Sequence, residues 1–134
     1  MSQENVETLR RSLEAFDRRD RSAWLAFRHP QAEVVPAGVW PEVDVIRGPE
    51  AAWEFYVAGT DPFETPPIAD KAELVDAGAD EVLVHYRHML RGKASGAEVE
   101  FTYWVVSTFR EGKIARDHWF MNQAEALEAV GLSE

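Results

Sequence analysis

The clearest alternation of apolar and polar positions along the chain runs from Glu81 to Asn122. It reads VLVHYRHMLR, a Gly/Ser-containing break, EVEFTYWVVSTFR, the dipeptide Glu111-Gly112, and KIARDHWFMN. Val, Thr, Tyr, Phe and Trp suit a pleated surface, and Gly-containing turns bound each segment, so three consecutive antiparallel strands are predicted at 82–91, 98–110 and 113–121. With Glu111-Gly112 as a two-residue hairpin turn, Arg110 faces Lys113, and plain alternation then pairs Thr108 with Ala115, Val106 with Asp117 and Trp104 with Trp119.

That register sorts the side chains into two faces. One carries Leu83, His85, Arg87, Met89, Glu100, Thr102, Trp104, Val106, Asp117 and Trp119. The other carries Val82, Val84, Tyr86, His88, Val99, Phe101, Tyr103, Val105, Phe109, Ile114, Arg116, His118 and Phe120. A sheet with one wet face alternates cleanly between apolar and polar, and this one does not. Both faces are therefore expected to be covered, one by helices and the other by helices or a second subunit.

The remaining periodicity supplies the helices. Val6, Leu9, Leu13 and Phe16 lie on one stripe of a helix over 2–16, with Ser2 and Asn5 as capping candidates. Asp20 is placed to cap a second helix over 21–27, which His29-Pro30 stops. A third, over 49–57, has proline at its first position and is unusually aromatic, and Gln123 to Gly131 forms a short last helix. Short strands are predicted at 33–39, broken by Pro36 and Gly38, at 43–47 and at 72–76. The proline-rich 60–68 reads as a connection.

Composition narrows the partners. A chain of 134 residues is expected to be one domain with its own core. A net charge of -10 argues against a nucleic-acid partner, which needs a concentrated basic surface. No apolar run approaches the roughly 20 residues of a spanning helix, and the first residues lack a signal peptide's apolar core, so no membrane partner and a cytoplasmic location are expected. The absence of cysteine fits a reducing compartment and removes thiolate ligands and nucleophiles. His85 and His88, three apart in a strand, point to opposite faces and cannot share an ion, so no metal site is predicted.

His85, Arg87, Glu100 and Asp117 lie among Leu83, Met89, Trp104, Val106 and Trp119 on the first face, as polar groups converging in an apolar ligand pocket would. Asp117 is its central ionisable group and the candidate acid/base. His85 is its candidate proton partner, and Arg87 the candidate stabiliser of an enolate-like oxygen. The alternative is a structural salt bridge between Asp117 and Arg87. Trp40, Trp53, Tyr56, Glu100, Trp104 and Trp119 are candidate ligand-binding residues, whose aromatic rings could line a pocket for a flat ring or pack in the core. The pocket is expected between the helix over 49–57 and this face. The second face, with Tyr86, His88, Tyr103, Val105, Arg116, His118 and Phe120, is predicted to form a homodimer interface.

The order of elements is that of an α+β cone: helices, a broken strand, another helix, then a long antiparallel meander, giving a curved, mostly antiparallel sheet that wraps helices and encloses a pocket. The segments ENVETLRRSLEAFDRRD, GPEAAWEF, ASGAEVEFTYWVV, FREGKIARDHWF and EALEAVGL span nearly the whole chain. In their order and spacing the chain resembles the SnoaL-like branch of the nuclear-transport-factor-like superfamily, which includes ketosteroid isomerases and polyketide cyclases. The resemblance implies a cofactor-free isomerase, cyclase or dehydratase acting on an apolar or aromatic carbonyl compound. It equally implies a binding module for an apolar small molecule, or an interaction domain with a filled pocket. In SnoaL-like cyclases the strand after Gly-Lys-Ile carries a His and then an acidic acid/base residue. Those places here hold Asp117 and Trp119, so the cyclase acid is missing. Of the ketosteroid isomerase residues, Asp44 could stand for the general base. The oxyanion-hole tyrosine has no match, Tyr56 being only a guess.

Overall fold

The computed structural model describes residues 2–64 and 67–131. Thr65, Pro66 and Leu132, which figure in the sequence reading above, lie outside them, as does the side chain of Ser2. Four helices, α1 (Ser2–Asp17), α2 (Arg21–Ala26), α3 (Pro49–Thr60) and α4 (Gln123–Ala129), accompany seven strands: β1 (Arg28–Gly38), β2 (Ile46–Arg47), β3 (Phe63–Glu64), β4 (Ala72–Gly78), β5 (Glu81–Gly92), β6 (Glu98–Arg110) and β7 (Lys113–Phe120). The strands form one mixed sheet in the order β2-β1-β7-β6-β5-β3, with β4 also on β5. Among the described residues only the β1–β7 pair is parallel. Among the described residues no helix is long and apolar enough to cross a membrane.

Local chemistry sets the helix limits. Asp20 caps α2 by accepting from the Ala23 amide at 3.2 Å, and Asn122 caps α4 in the same way through the Glu125 amide at 3.2 Å. Leu9, Leu13 and Phe16 are buried along the predicted stripe of α1, and the Asp17 carboxylate accepts from the Ile68 and Ala69 amides. Helix α3 opens with Pro49 in its first turn, after Gly48 at a φ of 94°. His29-Pro30 does not merely stop a helix, because strand β1 already begins at Arg28. The predicted strand over 43–47 shrinks to Ile46–Arg47, leaving Asp44 exposed in a loop.

The largest departure from the expected register lies between β6 and β7. The turn is as predicted: Glu111 and Gly112 both take positive φ, 55° and 77°, and Arg110 faces Lys113. After Phe109↔Ile114, however, the next pair is Thr108↔Arg116, so Ala115 is an extra residue on β7. A one-residue insertion moves every later side chain to the opposite face. Asp117 therefore faces Ser107 rather than Val106, and Trp119 faces Val105 rather than Trp104. Arg116, His118 and Phe120 move the other way. The bulge serves burial, since Ile114, Asp117 and Trp119 are all buried at spacings no flat strand could bring to one face.

The concave face, with Val84, Tyr86, Val105, Ile114 and Trp119, forms the main core with Leu9, Leu13, Phe16, Trp24, Ala52 and Trp53 of the first three helices. The convex face, with Leu83 and Val106, packs beneath Ala126 and Leu127 of α4 and Val130 just after it. The face expected to form a dimer interface through Tyr86, His88, Tyr103 and Val105 is therefore the one that α1, α2 and α3 cover. Its expected companions Arg116, His118 and Phe120 are on the other side.

The parallel β1–β7 pair also depends on Gly38. A Cβ there would stand 2.0 Å from the Trp119 carbonyl oxygen, a backbone atom that cannot swing aside. Gly38→Ala is expected to destabilise the fold by roughly 1–3 kcal/mol, the usual cost of overpacking. The check is a denaturant midpoint; an unchanged midpoint would mean that the two strands separate easily.

Candidate functional site

Once the bulge has turned Asp117 inward, three donors from three other elements converge on it. Arg28 at the start of β1 donates Nη1–H to Oδ2 at 2.7 Å, the Tyr56 hydroxyl of α3 donates to the same oxygen at 2.8 Å, and the Ser107 hydroxyl of β6 donates to Oδ1 at 2.8 Å. Trp119 Nε1–H in turn donates to the Tyr56 hydroxyl oxygen at 3.0 Å. Arg28 and Asp117 are both buried, and the guanidinium lies 4.1 Å from the centre of the Trp24 ring. Burial works to lower the Arg28 pKa, but Asp117, Tyr56 and Tyr86 together outweigh it and the guanidinium is held above its ordinary value. Asp117 thus accepts three of the roughly four hydrogen bonds a carboxylate can take, two at Oδ2 and one at Oδ1.

Two cavities meet at this cluster. The inner one, about 80 Å³, lies between α1 and the sheet and is bounded by Leu13, Arg28, Tyr86, Ser107 and Asp117. The outer one, about 520 Å³, is walled by Trp40, Phe55, Phe63, Phe101 and Trp119, with His88 among them. Tyr56, Thr60, Ile68, Tyr103 and Trp119 border both, so they form the partition. Its rings are in contact: the Trp119 centroid lies 4.7 Å from that of Tyr103, 5.7 Å from that of Tyr56 and 5.6 Å from that of Trp40.

Apart from the Asp117 cluster and the Thr60 hydroxyl, the polar groups facing this space are phenols and one imidazole. The Tyr103 hydroxyl lies 3.4 Å from His88 Nε2, and His88 Nδ1 is buried without a partner. Burial, followed by the charge of Lys71, lowers the His88 pKa and favours the neutral ring. Tyr86 lines the inner cavity, is buried, and its hydroxyl bonds to no other described residue. Burial raises the pKa of Tyr103, and raises those of Tyr56 and Tyr86 well above the ordinary value with Asp117 adding to both, so all three remain protonated donors at neutral pH.

The structure divides the residues expected to form one pocket. Asp117, Tyr56, Trp119 and Trp40 come together as described. His85, Arg87, Glu100 and Trp104 lie on the convex face, so the expected Arg87–Asp117 pair does not exist. Arg87 instead meets Glu100 at 3.5 Å on the surface, and His85 stacks on Trp104 at 4.5 Å with Nδ1 3.1 Å from Glu73. Trp53 belongs to the core, edge-on to Phe16 and Trp24. Arg28, Ser107, Tyr86, Tyr103 and His88 carry roles here that sequence reasoning missed; the alternation placed the last three together, but on a presumed interface. Arg28 has no local signal, because its partner is 89 residues away. Among the described residues no group of three or more His, Asp or Glu side chains could hold a metal ion.

Two predictions follow from this cluster. Arg28→Met should destabilise by about 3–5 kcal/mol, because it strands a buried carboxylate; a variant as stable as the parent by denaturant titration would remove the pair from the account. The chain's three tyrosines all have raised folded-state values, so their contribution to stability is complete below the unfolded value of about 10 and is lost as pH rises above it. Phenolate absorbance should therefore appear only together with loss of the folded circular dichroism spectrum, whereas a phenolate signal from folded protein near pH 10 would contradict this.

With the geometry in place, comparison with known proteins shows where the chain stands. No curated protein matches it in sequence. Among solved structures, an NTF2-like protein from Burkholderia xenovorans is similar at 23% identity, with 97% of each chain covered and a TM-score of 0.76. TerC, co-crystallised with polyporic acid, is similar at 20% identity, over 96% of this chain and 98% of its own, with a TM-score of 0.70. A protein with a ketosteroid isomerase-like fold from Catenulispora acidiphila, in complex with trimethylamine, is similar at 15% identity, over 94% and 93%, with a TM-score of 0.65. At such identities the likeness shows a shared fold. The family model of the SnoaL-like domain matches residues 9–117, within which lie both strands of the bulged hairpin as far as Asp117, and the chain belongs to that family.

Proposed function

We propose that the protein binds a flat, apolar, ring-bearing carbonyl compound in the aromatic chamber and acts on it by acid/base chemistry without a cofactor. The observation that carries this reading is the set Tyr86, His88 and Tyr103. A protonated phenol with no hydrogen-bond partner among the described residues, a neutral imidazole and a second phenol lie side by side, Tyr86 on the inner cavity, His88 on the chamber and Tyr103 on both, with ring centroids 5.1 Å apart for Tyr86 and Tyr103 and 6.4 Å apart for Tyr86 and His88. The chamber walls around His88 and Tyr103 are apolar and aromatic, as a small-molecule site requires. In this reading the ring lies in the chamber and its carbonyl reaches past the partition into the inner cavity, where Tyr86 donates to the oxygen on which negative charge develops, while His88 on the chamber side takes a proton from the carbon beside the carbonyl. Tyr103 positions the imidazole through Nε2. Asp117 holds Tyr56 and Arg28 in place and takes no part in proton transfer. The crystallisation of TerC, of the same fold, with polyporic acid supports a ring compound as the occupant.

A second reading, binding without chemistry, is favoured by one feature: the carboxylate that borders the inner cavity, Asp117, already accepts from three donors. Flat bicyclic ketones such as indanone and tetralone separate the two readings. Both predict quenching of tryptophan fluorescence, because Trp40 and Trp119 form the walls. Only catalysis predicts exchange of the protons beside the carbonyl for deuterium, followed by mass spectrometry.

His88→Gln should cut that exchange by roughly 10²–10⁴ while quenching persists, and Tyr86→Phe by about 10²–10³. The exchange rate should fall as pH drops through the His88 value, which lies below the ordinary 6.5, since protonation removes the base. Quenching without exchange in the parent protein would establish the binding reading instead.

A further inference from the structure

A third cavity, of about 740 Å³, lies away from the chamber, against the strand ends beside the β6–β7 turn. The bulge that sends Asp117 inward sends Arg116 outward, and the register sets it in a row across four strands: Thr108 of β6, Arg116 of β7, Glu33 of β1 and Arg47 of β2. Arg110 and Gln31, each two residues along its own strand from this row, join it in lining the groove. The chain as a whole carries 24 acidic against 14 basic side chains, so three guanidiniums on one small surface run against its composition.

Their pairing is also incomplete. Arg47 pairs with Glu33. Arg110 donates to Gln31 Oε1 at 2.9 Å and lies against the His29 ring, 3.3 Å from Nε2; His29 Nε2 is 3.0 Å from the Glu111 carboxylate, and no carboxylate among the described residues pairs with the Arg110 guanidinium. Arg116 is exposed, no carboxylate among the described residues pairs with it, and its charge helps to lower the pKa of neighbouring His118, after burial. Three guanidiniums against one carboxylate leave two positive charges in the lining without a lining partner.

We propose that this groove is a binding site for a phosphate monoester of a small molecule. A phosphate monoester carries about two negative charges and three acceptor oxygens, which matches the uncompensated charge. Guanidinium forks bind such oxygens in pairs, and Arg110 is already held in position to do so. The site is separate from the aromatic chamber and does not depend on the reading given for it.

The test uses the intact chain with inorganic phosphate and glycerol phosphate as probes, each compared with sodium chloride of equal ionic strength. Phosphorus NMR line broadening and the melting temperature are the readouts. Saturable broadening and a saturable rise in Tm are expected with glycerol phosphate. Inorganic phosphate should bind equally if the group alone is recognised, and more weakly if the rest of the groove contributes. Arg116→Gln should weaken binding at least tenfold without changing the melting temperature in chloride, since the side chain has no partner to lose, and Arg110→Gln should do the same to binding. The proposal is overturned by the absence of any response beyond the chloride control, by binding that survives both substitutions, or by tighter binding of a polyglutamate peptide than of either phosphate.

Discussion

A carboxylate cannot remain in an apolar interior unless other groups replace the water it has lost, and most of this structure is arranged around that requirement at Asp117. The replacements come from three distant parts of the chain: Arg28 from the start of β1, Tyr56 from the middle of α3 and Ser107 from β6. Each fixes something larger than itself. Arg28 ties the parallel strand β1 to β7, and Tyr56 sets how closely α3 approaches the sheet. Trp119, by donating to Tyr56, orients the ring that divides the inner cavity from the outer one. Removing the charges together and replacing them with apolar groups could leave a stable core, as buried ion pairs often allow, but the partition between the cavities would lose the bonds that orient it.

This arrangement depends in turn on one inserted residue. Ala115 has no functional group, yet by breaking the alternation it decides that Asp117 and Trp119 face the helices while Arg116, His118 and Phe120 face outward. The bulge thereby gives β7 a chamber face and a groove face with different chemistry, and neither would exist with flat pairing. Bulges beside functional sites are common for this reason, because a strand's fixed period of two cannot otherwise bring residues at odd spacing to one side.

The elements themselves were legible in the chain. The stripe Leu9, Leu13, Phe16, the Asp20 cap, the Pro49 helix start and the Glu111-Gly112 turn are local signals, and each element they mark lies where they placed it to within a few residues. The candidate site was legible only in part. The alternation sorted β5 and β6 correctly into faces, so Tyr86, His88 and Tyr103 were rightly grouped, but the faces were assigned the wrong neighbours because β7 was read without its bulge. A signal was present: with Ile114 and Phe109 buried as a pair, a regular strand would bury Arg116 and His118 and leave Asp117 and Trp119 to the other face. Burying the unpaired Arg116 is costly, so an irregularity between Ile114 and Asp117 is the cheaper solution. The Arg28 partnership had no such signal, since it depends on where a strand 89 residues earlier joins the sheet.

The same electrostatic reasoning bears on what the chamber can hold. Asp117 and Arg28 neutralise each other at its inner end, burial favours the neutral form of His88, and the tyrosines remain protonated, so among the described residues no unpaired charge faces the aromatic walls. A charged ligand would lose its hydration there and gain no counter-charge, which weighs against it more heavily than a few hydrogen bonds weigh in its favour. A neutral ring with one or two oxygens loses little on entry and meets donors already oriented. The groove around Arg116 is the converse case, a solvent-exposed surface with positive charge uncompensated, where an anion keeps part of its hydration and gains its partners. The two faces of one strand are thus suited to ligands of opposite character, and the single residue that separates them is Ala115.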